Sequence, residues 1–275
     1  MLGAKKMYRS MVIAIIFLSA CATADLRPKG FNPSAKGSEE KAVFYLKKMQ
    51  DAHGGKDLWL SKNYAVYALR DYWPSWIMQK IAMPWEFSGQ KIKVTSVLGS
   101  DDGRLEFMEG ENVGTSWGVQ NWVTYSKSES KPLIFKDDTD IKFWIPTIKY
   151  FTELPFRIVE APLRRFIGRS TQNNKHYLKV YVTWNSLEPN DEYDQYILWI
   201  NEQSYILEYV EYTVRDIMAS VRGILYYYDY RIVDGIKIPF GMRVLENPDD
   251  NKSVMHDMVL ETAHFTSNIE NSGMG

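Results

Sequence analysis

After Trp59, apolar residues recur mainly at every second position, which is typical of strands with one covered face. Segments 177–184 and 236–244 show this most clearly, with apolar side chains at the even positions. Asp234-Gly235 lies directly before the second segment, and this dipeptide is a strong signal for a tight hairpin. The pattern predicts about ten strands between Tyr64 and Phe265, joined by short turns into an antiparallel meander. We expect one domain over residues 38–270.

Two stretches show helical spacing instead. Residues 38–52 begin with a capping hydroxyl at Ser38, carry acids in the first turn and end at His53-Gly54-Gly55, so they predict an amphipathic helix. Residues 140–166 are also apolar at helical spacing, but they contain three prolines. Because proline cannot continue a helix interior, we expect this stretch to form short helical pieces that cover one side of a curved sheet.

The N-terminus has the pattern of a targeting segment. Basic residues precede an apolar run of eight residues at 11–18, which is too short to span a bilayer. Leu18-Ser19-Ala20-Cys21 follows and resembles the lipobox of bacterial lipoproteins, in which the cysteine is lipidated. The alternative is an ordinary secretory peptide cut near Ala20 or Ala24. The lipobox implies a signal peptide over 1–20 and lipidation at Cys21.

Residues 21–37 are rich in proline and glycine and show no period, so we expect a lipidated N-terminus followed by a flexible tether. Several acyl chains on one residue anchor a protein firmly. Ala22 stands where an aspartate would resemble an inner-membrane retention signal. The expected location is therefore the outer membrane, with a lipid anchor on the periplasmic face or at the cell surface.

Composition narrows the function classes. The 275 residues include 33 Lys plus Arg and 34 Asp plus Glu, a net charge of −1 that argues against binding driven by nucleic-acid phosphates. Aromatic residues make up 14%, which favours β-structure and an aromatic-lined interior. A single cysteine excludes an internal disulfide framework.

No catalytic constellation is recognisable. The four histidines do not form an HExxH motif, and the acidic pairs lie in stretches that look like turns. His256 and His264 are eight residues apart on a predicted strand, an even spacing that places both on one face. A metal pair is an alternative there, but two histidines without further ligands are more often ordinary surface residues. We therefore expect a non-enzymatic protein that needs no cofactor or metal.

Four segments carry a resemblance to a known family. They are His53-Gly54-Gly55 with Trp59, Tyr150–Phe156, Ile197–Asn201, and Tyr228–Pro239, which contains the pattern dYr.vdG.k.P. The last segment resembles a strand pair found in the lipoprotein-localisation factors, the LolA/LolB-like proteins of the bacterial envelope. The resemblance implies a mainly β fold, a strongly curved antiparallel unclosed barrel with covering helices, around an apolar cavity that can hold acyl chains.

On this interpretation, burial of acyl methylenes at about 0.8 kcal/mol each supplies the binding energy. We expect inward strand residues to form the cavity wall and three helical residues to form a plug that the ligand displaces. The wall residues are Val180, Val182, Trp184, Ile236, Ile238 and Phe240, and the plug residues are Trp144, Ile148 and Phe151. The expected partners are the membrane and a lipid or acylated protein, in outer-membrane lipid or lipoprotein sorting.

Other interpretations remain open at this point. The same fold with a filled core would serve as an envelope scaffold or interaction protein. A hydrolase of envelope lipid or glycan is a third hypothesis, without a visible nucleophile and base. The Trp-rich segment 73–87 is either a lipid-contacting lip or core packing, and Arg164, Arg165 and Arg169 either meet anionic head groups or are simply hydrated.

Overall fold

One antiparallel sheet of thirteen strands dominates the computed structural model, which describes residues 23–128, 131–246 and 253–268. The predicted signal peptide and the lipidation site Cys21 lie outside the described residues. Among the residues that are described, no helix is both long and apolar enough to cross a bilayer.

The strands follow the chain closely. They are β1 Tyr64–Tyr72, β2 Gln90–Val97, β3 Gly103–Phe107, β4 Thr115–Gln120, β5 Val123–Ser128, β6 Lys131–Phe135, β7 Leu163–Gln172, β8 Lys175–Thr183, β9 Gln195–Asn201, β10 Leu207–Thr213, β11 Arg222–Val233, β12 Ile236–Leu245 and β13 Val254–Thr266. The helices are α1 Ser38–Ala52, α2 Lys56–Leu60, α3 Trp76–Ile81 and α4 Thr139–Arg157, and a 3-10 helix at Ile158–Glu160 follows α4.

The strand order is β6-β5-β4-β3-β2-β1-β13-β12-β11-β10-β9-β8-β7. Two meanders, β1 to β6 and β7 to β13, are joined where β1 pairs with β13, so β6 and β7 are the two edges of an unclosed sheet. The fold class predicted from the sequence is confirmed. More strands are described than the ten expected, because β4 to β6 are short and partly polar and give no clear alternation.

Helix α4 connects the two edge strands and corrects the prediction of broken helical pieces. It runs unbroken over 19 residues with Pro146 and Pro155 inside it. Each interior proline costs about 3 kcal/mol, but six of its apolar side chains are at most 8% exposed, and each such burial contributes about 1.5–3 kcal/mol. Asp138 caps the first turn by accepting from the backbone N–H groups of Asp140 and Ile141. Tertiary burial therefore outweighs the local preference of proline.

Three cross-strand Tyr–Gly pairs accompany the curvature of the sheet. Gly118 lies opposite Tyr125, Gly223 opposite Tyr212 and Gly241 opposite Tyr228, and each tyrosine ring covers its glycine. A Cβ atom on Gly241 would lie 2.1 Å from the ring of Tyr228. Glycine at these positions lets the ring pack on the strand, which is a known device for bending and stabilising sheets.

The segment predicted as a flexible tether is attached to the sheet over most of its described part. The backbone N–H of Leu26 donates to Oε1 of Gln195 at 2.7 Å, and Leu26 is 7% exposed. Phe31 packs on Tyr181 with ring centroids 5.3 Å apart. The outer face of β8 to β10 carries Tyr and Trp side chains that need a cover, and this segment provides it. Proline and glycine indicated irregular backbone correctly, but they do not report tertiary contacts.

Candidate functional site

All nine side chains predicted for the cavity and plug lie on or against the inner face of the sheet, with Trp144, Ile148 and Phe151 supplied by α4. They belong to one continuous apolar cluster, which α1 and α4 complete. Val180, Val182 and Ile236 are fully buried, Ile148, Ile238, Phe240 and Phe151 are at most 8% exposed, and Trp144 and Trp184 are half-buried. The alternation along β8 and β12 thus identified inward-facing residues, and the structure brings them together with α4.

The predicted hollow is occupied by the chain itself. Ile145, Ile148 and Leu154 of α4 are at most 1% exposed within the cluster. Trp59 stacks on Phe156 at 5.0 Å with an interplanar angle of 7°. Two pockets of about 380 and 280 Å³ open at the outer surface instead. A ligand on the inner face would therefore have to displace α4 or its side chains.

Tyr227 of β11 fixes the C-terminal half of α4. Pro155 has no N–H, so the carbonyl of Phe151, four residues earlier, lacks its helical donor. The hydroxyl of Tyr227 donates to that oxygen at 2.8 Å. Burial raises the pKa of Tyr227 well above its usual value, so the hydroxyl keeps its proton and remains a donor.

A buried ion pair attaches α4 to the turn between β2 and β3. The Nζ of Lys149 lies 3.2 Å from Oε1 of Glu153 and donates to the carbonyl of Val97 at 3.1 Å. The other oxygen of Glu153 accepts from the N–H of Gly99 at 3.2 Å. Both charged side chains are 0% exposed, and burial lowers the pKa of Lys149. Each of the two charged groups therefore has polar partners. Neither residue was predicted as a site residue from the sequence.

A second buried polar cluster surrounds Asp71 at the end of β1. Its carboxylate is 0% exposed and accepts from the indole N–H of Trp73 at 2.7 Å and of Trp85 at 2.6 Å. Nδ1 of His256 lies 3.0 Å from the other carboxylate oxygen, so this nitrogen carries the proton. Trp73 stacks on His256 at 4.4 Å, and Trp144 meets the same imidazole edge-on at 6.2 Å.

The contacts of this cluster show that two tryptophans of the Trp-rich segment 73–87 are core packing. Trp73 and Trp85 are 2% and 5% exposed and belong to the core, whereas Trp76 is 65% exposed. Asp71 was not predicted as a site residue, because a single aspartate at a strand end carries no signal by itself.

The two histidines of β13 lie on opposite faces, which corrects the prediction of a shared face. Between the pairs Ala68↔Thr262 and Leu69↔Leu260 the register shifts, so Glu261 is an extra residue in a β-bulge. The bulge reverses the alternation, and His264 is exposed while His256 faces the core. No group of three metal-ligating residues is present in the described ranges.

The helix end at His53 packs on the β11–β12 hairpin turn. Gly54 has a φ of +116°, and a Cβ there would lie 2.8 Å from the carbonyl oxygen of Gly235. The N–H of Lys237 donates to the carbonyl of His53 at 2.9 Å. Nδ1 of His53 donates to the carbonyl of Met49 at 2.7 Å. Two of the four segments that carry the family resemblance, the His53-Gly54-Gly55 segment and Tyr228–Pro239, are therefore in direct contact and serve a structural role.

Solved structures share this architecture. A domain from Vibrio parahaemolyticus, named for outer membrane lipoprotein sorting, aligns with a TM-score of 0.55 and 10% identity over 86% of this chain and 97% of its own. A DUF1329 family protein from Desulfovibrio piger gives 0.55 and 10% over 86% and 96%. A LolA superfamily protein from Nitrosomonas europaea gives 0.51 and 9% over 84% and 96%.

These likenesses establish that the chain has the LolA-like fold, as the resemblance implied. A comparison with protein-family models and one with curated protein sequences give no match.

Proposed function

We propose that this chain is a non-enzymatic envelope lipoprotein, anchored in the outer membrane through Cys21, whose inner sheet face receives an acyl chain. The observation that carries the proposal is the position of α4. This single helix connects the two edges of an unclosed sheet and covers its apolar inner face. An acyl chain would replace the contacts of Trp144, Ile148 and Phe151 with contacts of the same chemical kind.

The proposed displacement of α4 by a ligand is supported by two properties of this helix, its prolines and the position of its polar contacts. Two interior prolines make the helix intrinsically weak, so its shape depends on contacts with the sheet. Its charged side chains Lys149, Glu153 and Arg157 are bound at the turn between β2 and β3, and on the opposite side Tyr227 of β11 donates to the carbonyl of Phe151. Movement of the helix away from β11 would therefore break the hydrogen bond to Tyr227 and keep the charged contacts at the β2–β3 turn.

A second candidate function is an envelope scaffold with a permanently filled core. The observation that favours it is the occupied inner face, where α4 side chains lie at most 8% exposed in one cluster with the strands. In this case partners bind outer loops, and no lipid enters the protein. The two candidates differ in one measurable property, which is uptake of an acyl chain.

The test uses the full chain, extracted in a neutral detergent, with cis-parinaric acid as a fluorescent acyl probe. We expect saturable binding to the wild type and faster, tighter binding to Phe151→Ala. Removing this ring, which is 8% exposed, leaves space on the inner face and weakens the plug. Circular dichroism spectra check that the variant keeps its fold, because a partly unfolded chain also binds apolar dyes.

Phe44→Ala is the matched control, because Phe44 lies on α1 with 53% of its surface exposed and outside the apolar cluster. We expect this variant to bind the probe as the wild type does. Absence of probe binding in both the wild type and Phe151→Ala, together with no co-purified lipid in native mass spectra, would favour the scaffold function instead.

A further inference from the structure

A small pocket opens between α1 and the start of β7. Its volume is about 280 Å³. Val43 and Leu46 of α1 and Val159 of the 3-10 helix supply its apolar surface, and Arg164 of β7 lies at one side. Leu46 also belongs to the apolar cluster of the inner face, so the pocket floor is the outside of that cluster. The pocket thus lies at the seam between the covering helices and the edge of the sheet.

The charged side chains around this pocket differ in whether they have an ion-pair partner. Lys47 pairs with Asp51, and Lys56 pairs with Glu160, which also lines the pocket. Arg164 forms no ion pair within the described part of the chain. Its Nε is buried and has no hydrogen-bond partner there. One cationic group with unused donor capacity therefore remains beside an apolar surface.

The guanidinium of Arg164 is held in place before any ligand arrives. Its NH1 donates to the carbonyl of Val159 at 2.7 Å, which ties the side chain to the 3-10 helix. A guanidinium presents several donors in a fixed plane that suits carboxylate and phosphate oxygens. Because bonds from a guanidinium to an anion are stronger than those to a neutral oxygen, an anionic group is the ligand that best matches its remaining donors.

We propose that Arg164 binds the anionic head group of the lipid whose acyl chain enters between α1, α4 and the sheet. This inference rests on the proposed function. The pocket is slightly smaller than ligand sites that enclose a whole drug-sized molecule, about 300–1,000 Å³. It has room for a carboxylate or phosphate and the first carbon atoms, and its floor leads directly to the apolar cluster through Leu46.

The test compares cis-parinaric acid with its methyl ester on the full chain in neutral detergent, at about pH 8. The two probes share one acyl chain and differ in the charged group. We expect the wild type to bind the acid about 10- to 100-fold more tightly, the range for a hydrogen bond to a charged group. Arg164→Met should lower the affinity for the acid to that of the ester, and Arg164→Lys should retain part of the preference.

Arg165→Met is the matched control. Arg165 is the next residue on the same strand and pairs with Glu39 at 2.9 Å on the other side, so its removal should leave the preference unchanged. Unaltered binding of the ester shows that each variant is folded.

Three results would overturn the inference. Equal affinity of the wild type for acid and ester rejects the role of Arg164 and leaves the proposed function standing. Failure of both probes to bind rejects both. Displacement of the acid by millimolar inorganic phosphate, with no effect on the ester, shows a site for free anions instead of a lipid head group.

Discussion

Helices α1 and α4 pack against the same apolar cluster, and each carries a lysine four residues before an acid, yet the two pairs differ completely in exposure. On α1, Lys47 and Asp51 are 64% and 50% exposed. On α4, Lys149 and Glu153 are both 0% exposed and each also bonds to the backbone of the β2–β3 turn. The same spacing is therefore a surface feature in one helix and a structural attachment in the other.

The two helices also differ in the other contacts that attach them to the sheet. Helix α1 ends in the close backbone contact between Gly54 and the β11–β12 turn. Helix α4 contains two prolines and depends on side-chain contacts, from the buried ion pair to the hydroxyl of Tyr227. Helix α4 is thus held by apolar burial and a few specific polar contacts, and the proposed displacement requires a ligand that replaces the apolar burial.

The largest expected effect comes from breaking the buried pair. Lys149→Met leaves the carboxylate of Glu153 buried without a cation, and we expect a loss of about 3–5 kcal/mol in the free energy of unfolding. The measurement is urea denaturation followed by circular dichroism. Lys47→Met on α1 is the matched control, with an expected loss below about 1 kcal/mol because its partner stays hydrated.

The double variant Lys149→Met/Glu153→Gln sharpens this prediction. It removes both charges and keeps an oxygen that accepts from Gly99. It should be more stable than Lys149→Met alone. Equal stability of the two variants would contradict our explanation that an uncompensated charge is the cause.

The next effect concerns α1 and depends on pH. Burial lowers the pKa of His53 to about 4, with a smaller contribution from Lys237. As pH falls below about 6.5, the unfolded chain takes up a proton at this site and the folded chain does not. We therefore expect this residue to reduce stability by about 3 kcal/mol between pH 6.5 and 4, and to have no pH effect above this window.

His53→Asn should remove this part of the pH dependence, while titration of the carboxylates continues in both proteins. The difference between the wild-type and variant denaturation curves isolates the histidine. The exposed His176 provides the control, and His176→Asn should keep the wild-type slope. An unchanged slope in His53→Asn would show that His53 is not the group responsible.

The smallest effect tests the hydrogen bond from Tyr227 to the carbonyl of Phe151. Tyr227→Phe should cost about 1 kcal/mol in the free energy of unfolding. In a Pro155→Ala background the helix regains its own N–H donor for that carbonyl, so the same substitution should cost much less. Identical costs in the two backgrounds would mean that the proline does not create the need for the tyrosine.

Sequence patterns predicted the sheet well where a single local signal controls the structure. The alternation along β8 and β12 identified inward-facing residues, and Asp234-Gly235 lies at the turn between β11 and β12, as expected. The prediction that His264 shares a face with His256 was wrong, because a bulge at Glu261 reverses the alternation. The bulge depends on the pairing of β13 with β1. A bulge has no signature in the bulged strand alone.

The candidate site was predicted only in part. Its apolar residues follow from periodicity, but Asp71, Lys149 and Glu153 are charged residues whose burial follows from partners far away in the chain. The helix α4 continues through Pro146 and Pro155 for the same reason, because the burial that offsets the cost of the prolines comes from contacts with distant parts of the chain.

The sequence by itself determined the strand meander, the amphipathic α1 and the inward residues of β8 and β12, since period and turn chemistry act over a few neighbouring positions. Only the tertiary structure decided that α4 runs unbroken through its prolines, that an N-terminal segment covers the outer face of the sheet, and that Arg164 lies beside an apolar pocket. Those outcomes depend on which distant surfaces meet, and burial free energy is settled by the whole set of contacts.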